Sequence, residues 1–309
     1  MGIKKSDSLK KDTFDIDEID LMALFRVLWD SKVLIAAITA VFAIFSVYYA
    51  LNLKDIYKSE AILSVDAGSQ TSSIGGLSGL ASLAGIDFPA GGENKRLLAV
   101  QTLKSRAFFK HLTTFDGVLP SLMAAETYDA ESQELVFNSD IYNAEEKKWI
   151  GLSENNQGKP TYLEAYETYI GKIKVVDEQF LNISVEHISP IFAKELLDLI
   201  IKETNELLRN KDLRESSDAI EFLTSEVTKS SLITMKDAIN ELVQSRLEMQ
   251  MMAKINNEYI LKIIEPPFLP EKKSGPARAI ICISYTFAGG VFAVLFVLIR
   301  HYNFRLAKK

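Results

Sequence analysis

The chain has little of what an enzyme active site or a metal site needs. Its 309 residues include one cysteine, Cys282, and three histidines, His111, His187 and His301. Residues 54–278 therefore have no thiol, which excludes a disulfide framework and thiolate ligation of a metal there. The carboxylates are scattered along faces that we interpret as solvated helix surfaces, and no serine lies in a nucleophile-elbow motif. We predict no catalytic residue, no metal site and no cofactor.

Charge is absent from two long runs, residues 33–53 and 279–299, each of 21 residues. A helix of that length reaches about 31 Å, the thickness of the hydrocarbon core of a bilayer. Aromatic residues lie near the ends of the runs, as they do at membrane interfaces: Trp29, Tyr48, Tyr49 and Tyr302. We predict two transmembrane helices, with residues 54–278 as one domain between them and residues 1–32 and 300–309 outside. Two crossings place both termini on the same side of the membrane.

Lysine and arginine do not orient these spans. Six of them lie near the spans in the terminal segments and five at the ends of the central domain, too small a difference for the positive-inside rule.

The central domain holds 25 lysines and arginines against 34 aspartates and glutamates, a net charge of −9. Such an acidic surface argues against nucleic acid as a partner.

The residues before the first span favour a helix. Residues 14–31 place four apolar side chains at helical spacing after an acidic start: Leu21, Leu24, Phe25 and Leu28. The pattern predicts either a short interfacial helix or a helix continuous with the span, and the sequence leaves both open.

The central domain has the pattern of an α+β fold. Residues 57–65 alternate as a strand does, and residues 68–92 contain seven glycines among apolar residues, which predicts a mobile, partly apolar surface loop. Further along, the patterns predict a helix over 93–115, a β-hairpin of strands 172–176 and 180–187, a helical region over 190–255 that begins at Ser189-Pro190, and a last strand over 259–264. The resulting β-α-β-β-α-β order is that of a ferredoxin-like base.

The helical region 190–255 is too long for a single globular helix. It contains no glycine and no proline after Pro190, and as one straight helix it would carry the chain roughly 100 Å away from the last strand. We predict a projecting helical hairpin that turns at residues 210–218 or at Ser230-Ser231. Apolar residues at heptad-like spacing are candidates for packing in the hairpin or between subunits: Leu232, Met235, Ile239, Leu242, Met249 and Ala253.

Half of the eight prolines lie just before the second span, at Pro266, Pro267, Pro270 and Pro276. Proline fixes φ and resists helix formation, so residues 265–278 are predicted to form an extended, semi-rigid strut. Small residues in the second span predict close helix packing with the first span or with a neighbouring subunit: Ser284, Ala288, Gly289, Gly290 and Ala293. Ordinary use of glycine in membrane helices explains the same pattern equally well.

Four segments together resemble a known family. They are DEIDLMALFRVLWDSK before the first span, GGLSGLASLAGI in the glycine-rich region, the long helix that begins at Ser-Pro, and EPPFLPEKKSGPARA before the second span. In this order they resemble the bacterial polysaccharide co-polymerases, the Wzz-type chain length determinants of O-antigen and related surface glycans. The proline-rich motif of that family corresponds to Pro266, Pro267, Pro270 and Pro276.

The resemblance implies a Gram-negative inner-membrane protein with a periplasmic domain and cytoplasmic termini. It also implies a ring-like homo-oligomer that works with a separate polymerase on a lipid-linked glycan, without catalysis of its own. Three alternative functions fit part of the pattern. A two-span sensor would need an output module that 32 and 10 terminal residues do not supply. An exopolysaccharide-export co-polymerase with a separate tyrosine kinase stays open. A membrane-bound glycan enzyme is disfavoured by the missing catalytic residues.

Overall fold

The computed structural model describes residues 21–65, 92–150, 158–229, 233–256 and 258–306. The chain forms two compact units: its two ends, up to Leu53 and from Ala277 onward, make one, and residues 54–276 make the other. The described helices and strands, in chain order, are α1 (Leu21–Asp30), α2 (Lys32–Leu51), β1 (Tyr57–Val65), α3 (Gly92–Leu103), α4 (Arg106–Leu112), α5 (Val118–Met123), β2 (Ala125–Asp129), β3 (Glu134–Phe137), β4 (Tyr142–Asn143), β5 (Lys148–Trp149), α6 (Tyr162–Lys172), β6 (Ile173–Asp177), β7 (Leu181–His187), α7 (Pro190–Lys229), α8 (Ile233–Ile255), β8 (Leu261–Glu265) and α9 (Arg278–Leu306).

The unit made from the chain ends contains two helices that are long and apolar enough to cross a membrane, over Lys32–Leu51 and Arg278–His301. They overlap the predicted spans 33–53 and 279–299. Helix α2 ends at Leu51, two residues before the end of the predicted span. The N–H of the next residue, Asn52, bonds to the carbonyls of Tyr48 and Tyr49. Helix α9 continues to Leu306, so most of the segment predicted as a tail, residues 300–309, is helical.

Helix α1 and helix α2 are separated by Ser31 alone. The Ser31 N–H bonds to the carbonyl of Val27, and the Ile35 N–H bonds to the carbonyl of Ser31. These two bonds carry the helical ladder across the junction. Of the two possibilities that the sequence left open, the near-continuous arrangement is the one observed, and residues 14–20 of the predicted helix lie outside the described range.

The unit of residues 54–276 is built on a four-stranded sheet in the order β6-β7-β1-β8, with every neighbouring pair antiparallel. The predicted strand 57–65 is confirmed with the same bounds. The predicted strands 172–176, 180–187 and 259–264 are observed one or two residues further along, at 173–177, 181–187 and 261–265. The sequence thus placed all four strands and the β6–β7 hairpin.

One face of the sheet is buried and the other carries charge. Ser59, Ala61 and Leu63 of β1 are buried, and their β7 partners Val185, Ile183 and Leu181 are buried with them. Side chains of α3, α4, α6 and α7 share this core. The alternate positions of the strands are polar or exposed, as expected when one face of an antiparallel sheet meets water: Lys58, Glu60, Lys174, Asn182 and Glu186.

The helix predicted over residues 93–115 is wrong as a single element. It divides into α3 and α4, because the Ser105 side chain accepts a hydrogen bond from the Phe108 N–H and so caps a new helix. The glycine-rich segment that precedes it lies outside the described residues, except for Gly92 at the start of α3.

Residues 116–150 contain helix α5 and two small hairpins, β2–β3 and β4–β5. An aromatic cluster joins the hairpins, with ring centroids of Phe137 and Tyr142 5.5 Å apart and those of Tyr142 and Trp149 5.0 Å apart. Tyr128 on β2 meets Tyr57 at the start of β1, at 6.4 Å. These contacts connect the insertion to the sheet.

The long helical region forms two helices, α7 and α8, that pack against each other. Helix α7 runs without interruption through residues 210–218, so the first of the two predicted turn positions is wrong. The second, Ser230-Ser231, falls between the two helices in residues 230–232, which lie outside the described range. Leu208 and Ala253 are both buried in the core, and the Tyr259 hydroxyl donates to Asp212 Oδ2 at 2.7 Å. The chain therefore returns along α8 to the level of the middle of α7.

Candidate functional site

The proline-rich segment, residues 265–278, leaves β8 and stays non-helical until Arg278. Its prolines differ in environment. Pro267 and Pro270 are buried, Pro276 is half-buried after a cis peptide bond, and Pro266 is exposed. The segment is non-helical, as its proline content demands, and Pro267 and Pro270 pack against the domain; its role as an extended strut stays a prediction.

Hydrogen bonds tie the proline-rich segment to the beginning of β1. The Ser59 hydroxyl donates to the Phe268 carbonyl at 2.8 Å. Ile56 bonds in both directions, accepting from Ser274 N at 2.8 Å and donating to the Gly275 carbonyl at 2.9 Å. Lys273 Nζ lies 3.2 Å from Asp55 Oδ1. The residues that leave this unit are thus held beside those that enter it, across more than 200 positions of sequence.

A similar bond occurs inside the unit formed by the chain ends. There Arg278 donates from Nη2 to the Leu53 carbonyl at 2.9 Å. Arg278 begins helix α9, and Leu53 follows the end of α2. The starting point of the second apolar helix is therefore fixed to the end point of the first.

The two apolar helices pack closely at Gly289. A Cβ atom added there would lie 2.5 Å from the Phe42 Cβ, far inside van der Waals contact. Ala293 and Val297 continue the same face of α9 and are buried, as are Ser46 and Ala50 on α2. Aromatic pairs lie along the seam, with centroids of Phe42 and Phe292 and of Tyr49 and Tyr285 each 5.9 Å apart.

The other small residues predicted for helix packing lie elsewhere. A Cβ added at Gly290 would meet only Thr39 Oγ1, at 3.8 Å. Ser284 and Ala288 are exposed. The structure therefore brings Gly289 and Ala293 into the seam between α2 and α9, places Gly290 at its margin, and leaves Ser284 and Ala288 on the outside.

Of the residues predicted for packing on the long hairpin, Ile239, Leu242 and Met249 are half-buried on α8. Leu232 and the side chain of Met235 lie outside the described part of the chain. Ala253, at the C-terminal end of the same spacing, is buried. Their contribution to packing between subunits stays a prediction.

A buried asparagine on α7, which the sequence did not point to, positions the last strand. Asn205 Oδ1 accepts from the backbone N–H groups of Ile260 and Leu261, at 3.0 and 2.8 Å, and its Nδ2 donates to the Leu261 carbonyl at 2.9 Å. All three residues are buried. The side chain thus satisfies three backbone groups at the entry to β8, the strand that leads into the proline-rich segment.

Two histidines have structural partners. Buried His187 donates from Nε2 to the Ser121 carbonyl at 2.9 Å and accepts from Ser189 N–H at Nδ1. Burial, together with the positive charge of Lys172, lowers the pKa of His187 to about 4. His111 Nε2 lies 2.7 Å from a carboxylate oxygen of Glu203, which is buried on α7.

Three tyrosines of α6 close the break between α3 and α4. Their hydroxyls donate to backbone carbonyls: Tyr169 to Leu103 at 3.0 Å, Tyr166 to Lys104 at 2.7 Å, and Tyr162 to Arg106. Burial raises the pKa of Tyr169, which keeps its hydroxyl a proton donor. A capping box of Thr161 and Glu164 begins α6. This T-x-x-E signal was readable in the sequence, which could have predicted the helix.

The described residues contain no group of three or more histidine, cysteine, aspartate or glutamate side chains that could hold a metal. Two of the ionisable groups with a shifted pKa, His187 and Tyr169, are engaged with backbone carbonyls in the core. What the geometry does provide is a pair of packed apolar helices and a domain whose two ends are tied together.

Part of the chain is similar in sequence to a known protein family. Residues 17–115 match the family model of the chain length determinant proteins, Wzz. A solved structure of a full-length bacterial polysaccharide co-polymerase aligns over 94% of this chain and 99% of its own, with 15% identity and a TM-score of 0.39. The search of curated proteins found no match. The family match confirms the resemblance that the sequence motifs indicated.

Proposed function

We propose that this chain, whose residues 17–115 match the chain length determinant family, regulates the chain length of lipopolysaccharide O-antigen without catalysing a reaction. It crosses the bacterial inner membrane twice, with residues 54–278 in the periplasm on a ferredoxin-like base and both termini in the cytoplasm. The observation that carries the proposal is the family match. The two candidate membrane helices of this chain support a location in a membrane.

The tied ends of the domain suggest how such a regulator works. Because Ile56 and Ser59 hold the proline-rich segment, the chain entering the domain and the chain leaving it cannot move independently. Copies of the chain form a homo-oligomer, and the fixed geometry at the base of each copy presents the lipid-linked glycan to a separate integral-membrane polymerase. The duration of that contact sets the modal length.

The experiment is a gel of surface polysaccharide from a deletion strain, with and without the restored chain. Deletion should convert a clustered set of band lengths into an unregulated ladder, and restoration should return the cluster at a similar total amount of glycan. Unchanged lengths with less secreted polysaccharide would replace this proposal with an export co-polymerase that works with a separate tyrosine kinase. No change in lengths or amount would refute both.

The proline-rich segment offers a matched pair for the same gel. Pro267 is buried and Pro266, its neighbour, is exposed. Pro267→Ala should shift the modal length. Pro266→Ala makes the same substitution at an exposed position, so it should shift the modal length less. Membrane levels of both variants are measured by immunoblot, so that loss of protein is distinguished from loss of regulation.

A further inference from the structure

Helix α8 carries an exposed apolar stripe near its C-terminal end. The stripe consists of Leu247, Met251 and Ile255, at every fourth position, and Met251 is 60% and Ile255 75% exposed. Ala253, two residues from each of these, lies about 200° around the helix from them. Because Ala253 is buried in the core of the domain, the stripe is directed away from the domain. A row of apolar side chains in solvent marks an interaction surface.

Helix α7 has a recess of about 320 Å³ on its own exposed side. The residues that line it are Leu207, Lys211, Arg214 and Glu215. Nine residues past Arg214, which is half a turn around the helix, Leu223 is buried by α8 rather than by the core of the domain. The recess on α7 and the stripe on α8 therefore lie on roughly opposite sides of the hairpin.

The stripe and the recess lie at the same level of the hairpin. Helix α7 ends at Lys229 and α8 begins at Ile233, so positions equally far from these two ends lie at equal distances along the hairpin. Arg214 precedes Lys229 by 15 residues, and Glu248 follows Ile233 by 15. Three pairs of positions match in this way: Leu207 with Ile255, Lys211 with Met251, and Arg214 with Glu248.

The matched positions are complementary in chemistry. The first pair is apolar on both sides, and the second sets the alkyl stem of a lysine against a methionine. The third sets the guanidinium of Arg214 against the carboxylate of Glu248, and both residues are exposed. Surfaces on opposite sides of one hairpin cannot meet within a single copy. They can meet between copies that stand side by side at one level, in the heterologous type of contact that closes a ring.

We propose that the α8 stripe of one copy packs into the α7 recess of the next copy. The partner of this surface is therefore a second copy of the same chain. The inference rests on the homo-oligomer of the proposed function and names the surface that forms it. Arg214 and Glu248 fix the level at which neighbouring copies meet, because a shift along the helices would separate the two charges.

Disulfide cross-linking of the full-length chain in membranes tests this contact. Two variants with different tags are co-expressed, Lys211→Cys and Met251→Cys, each with Cys282→Ser to remove the single native cysteine. A disulfide requires Cα atoms within about 7 Å of each other. Oxidised membranes should yield a dimer that contains both tags. Neither variant expressed alone should yield a dimer, because a heterologous contact joins different residues of the two copies.

Asp237→Cys, in place of Met251→Cys, is the matched control. Asp237 is exposed on the same side of α8 but lies 14 residues, or about 21 Å, nearer the start of the helix. Its disulfide yield with Lys211→Cys should be lower by about tenfold or more. Equal yields would overturn the proposal, and so would a dimer of Met251→Cys alone, which indicates a two-fold contact between two stripes. If either variant fails to accumulate in the membrane, the matched pair Leu207→Cys and Ile255→Cys carries the same test.

Charge reversal tests the level at which the copies meet. Arg214→Glu in both tagged chains should lower the yield of the Lys211→Cys/Met251→Cys disulfide about fivefold, and Glu248→Arg added to the same chains should restore it. No restoration would overturn the pairing of these two residues. Native mass spectrometry of the wild-type chain in detergent separates this proposal from the proposed function. An oligomer without the cross-link would overturn this contact alone, whereas a single-copy mass would overturn the homo-oligomer as well.

Discussion

Replacing Asn205 with alanine should destabilise the domain strongly, because this buried side chain of α7 bonds to the backbone at the entry to β8. The substitution removes three hydrogen bonds, of 2.8 to 3.0 Å, to the backbone of Ile260 and Leu261. Both residues are buried, so water cannot replace the lost side chain without entering the core. Two N–H groups and one carbonyl are left without a partner.

The expected magnitude follows from the cost of an unsatisfied buried polar group, about 1 to 3 kcal/mol each. Taking the lower value for three groups gives a loss of about 3 kcal/mol. For a domain of this size, that corresponds to a fall of roughly 6 to 12 °C in the unfolding temperature. Since whole domains are stable by only about 5 to 15 kcal/mol, the change is large.

The assay is thermal unfolding of the full-length chain in detergent, followed by circular dichroism. Asn210→Ala is the matched control, because Asn210 is exposed on the same helix and its replacement should cost less than about 0.5 kcal/mol. A loss below about 1 kcal/mol for Asn205→Ala, or an equal loss for Asn210→Ala, would refute the assignment of these hydrogen bonds as the anchor of β8.

Three other predictions use the same preparation. His187 should make stability depend on pH: its pKa of about 4 in the folded chain lies below the ordinary 6.5, so about 3 kcal/mol of stability is lost progressively as the pH falls from 6.5 to 4. His187→Gln should flatten the upper part of this curve, and an unchanged curve would exclude His187 as its source. His111→Ala, which leaves the buried Glu203 carboxylate without its 2.7 Å partner, should cost about 2 kcal/mol. Most of that loss should vanish in a Glu203→Gln background, and a loss of the same size there would refute the pairing. Gly289→Ala should destabilise the packed apolar helices by about 1 to 3 kcal/mol, because its Cβ would meet Phe42, whereas the adjacent Gly290→Ala has room. Equal unfolding temperatures for the two glycine variants would contradict the seam between α2 and α9.

The elements that the sequence predicted well are those whose signal is local. Strand β1 was placed with its observed bounds because buried Ala61 and Leu63 alternate with polar Lys58 and Glu60. The two apolar helices follow from the absence of charge over a bilayer's thickness. The long helical region follows from its lack of glycine and internal proline, a negative signal that requires no knowledge of contacts.

The errors arose where a contact decides the structure. Ser105 looks like any serine in a helical run, yet it caps α4, because the tyrosines of α6 satisfy the carbonyls at the break. Residues 210–218, rich in polar side chains, looked like a turn. They remain helical within α7, and Asp212 there accepts the hydroxyl of Tyr259 from the returning chain. Neither partner is visible in a local window of sequence.

The proline-rich segment combines both kinds of information. Its lack of helix is local, since four prolines resist helix formation and remove four N–H donors. Its attachment is not local: the bonds to β1 span more than 200 residues and use the carbonyls of Phe268 and Gly275 and the N–H of Ser274. The prolines themselves have no N–H to satisfy, so Pro267 can be buried without leaving a donor unpaired. Alanine at that position would add a buried N–H and about 1 kcal/mol of chain entropy in the unfolded state. The residue that stiffens the segment is therefore also the one that allows it to pack, which is why we expect Pro267, rather than the exposed Pro266, to affect the regulation of chain length.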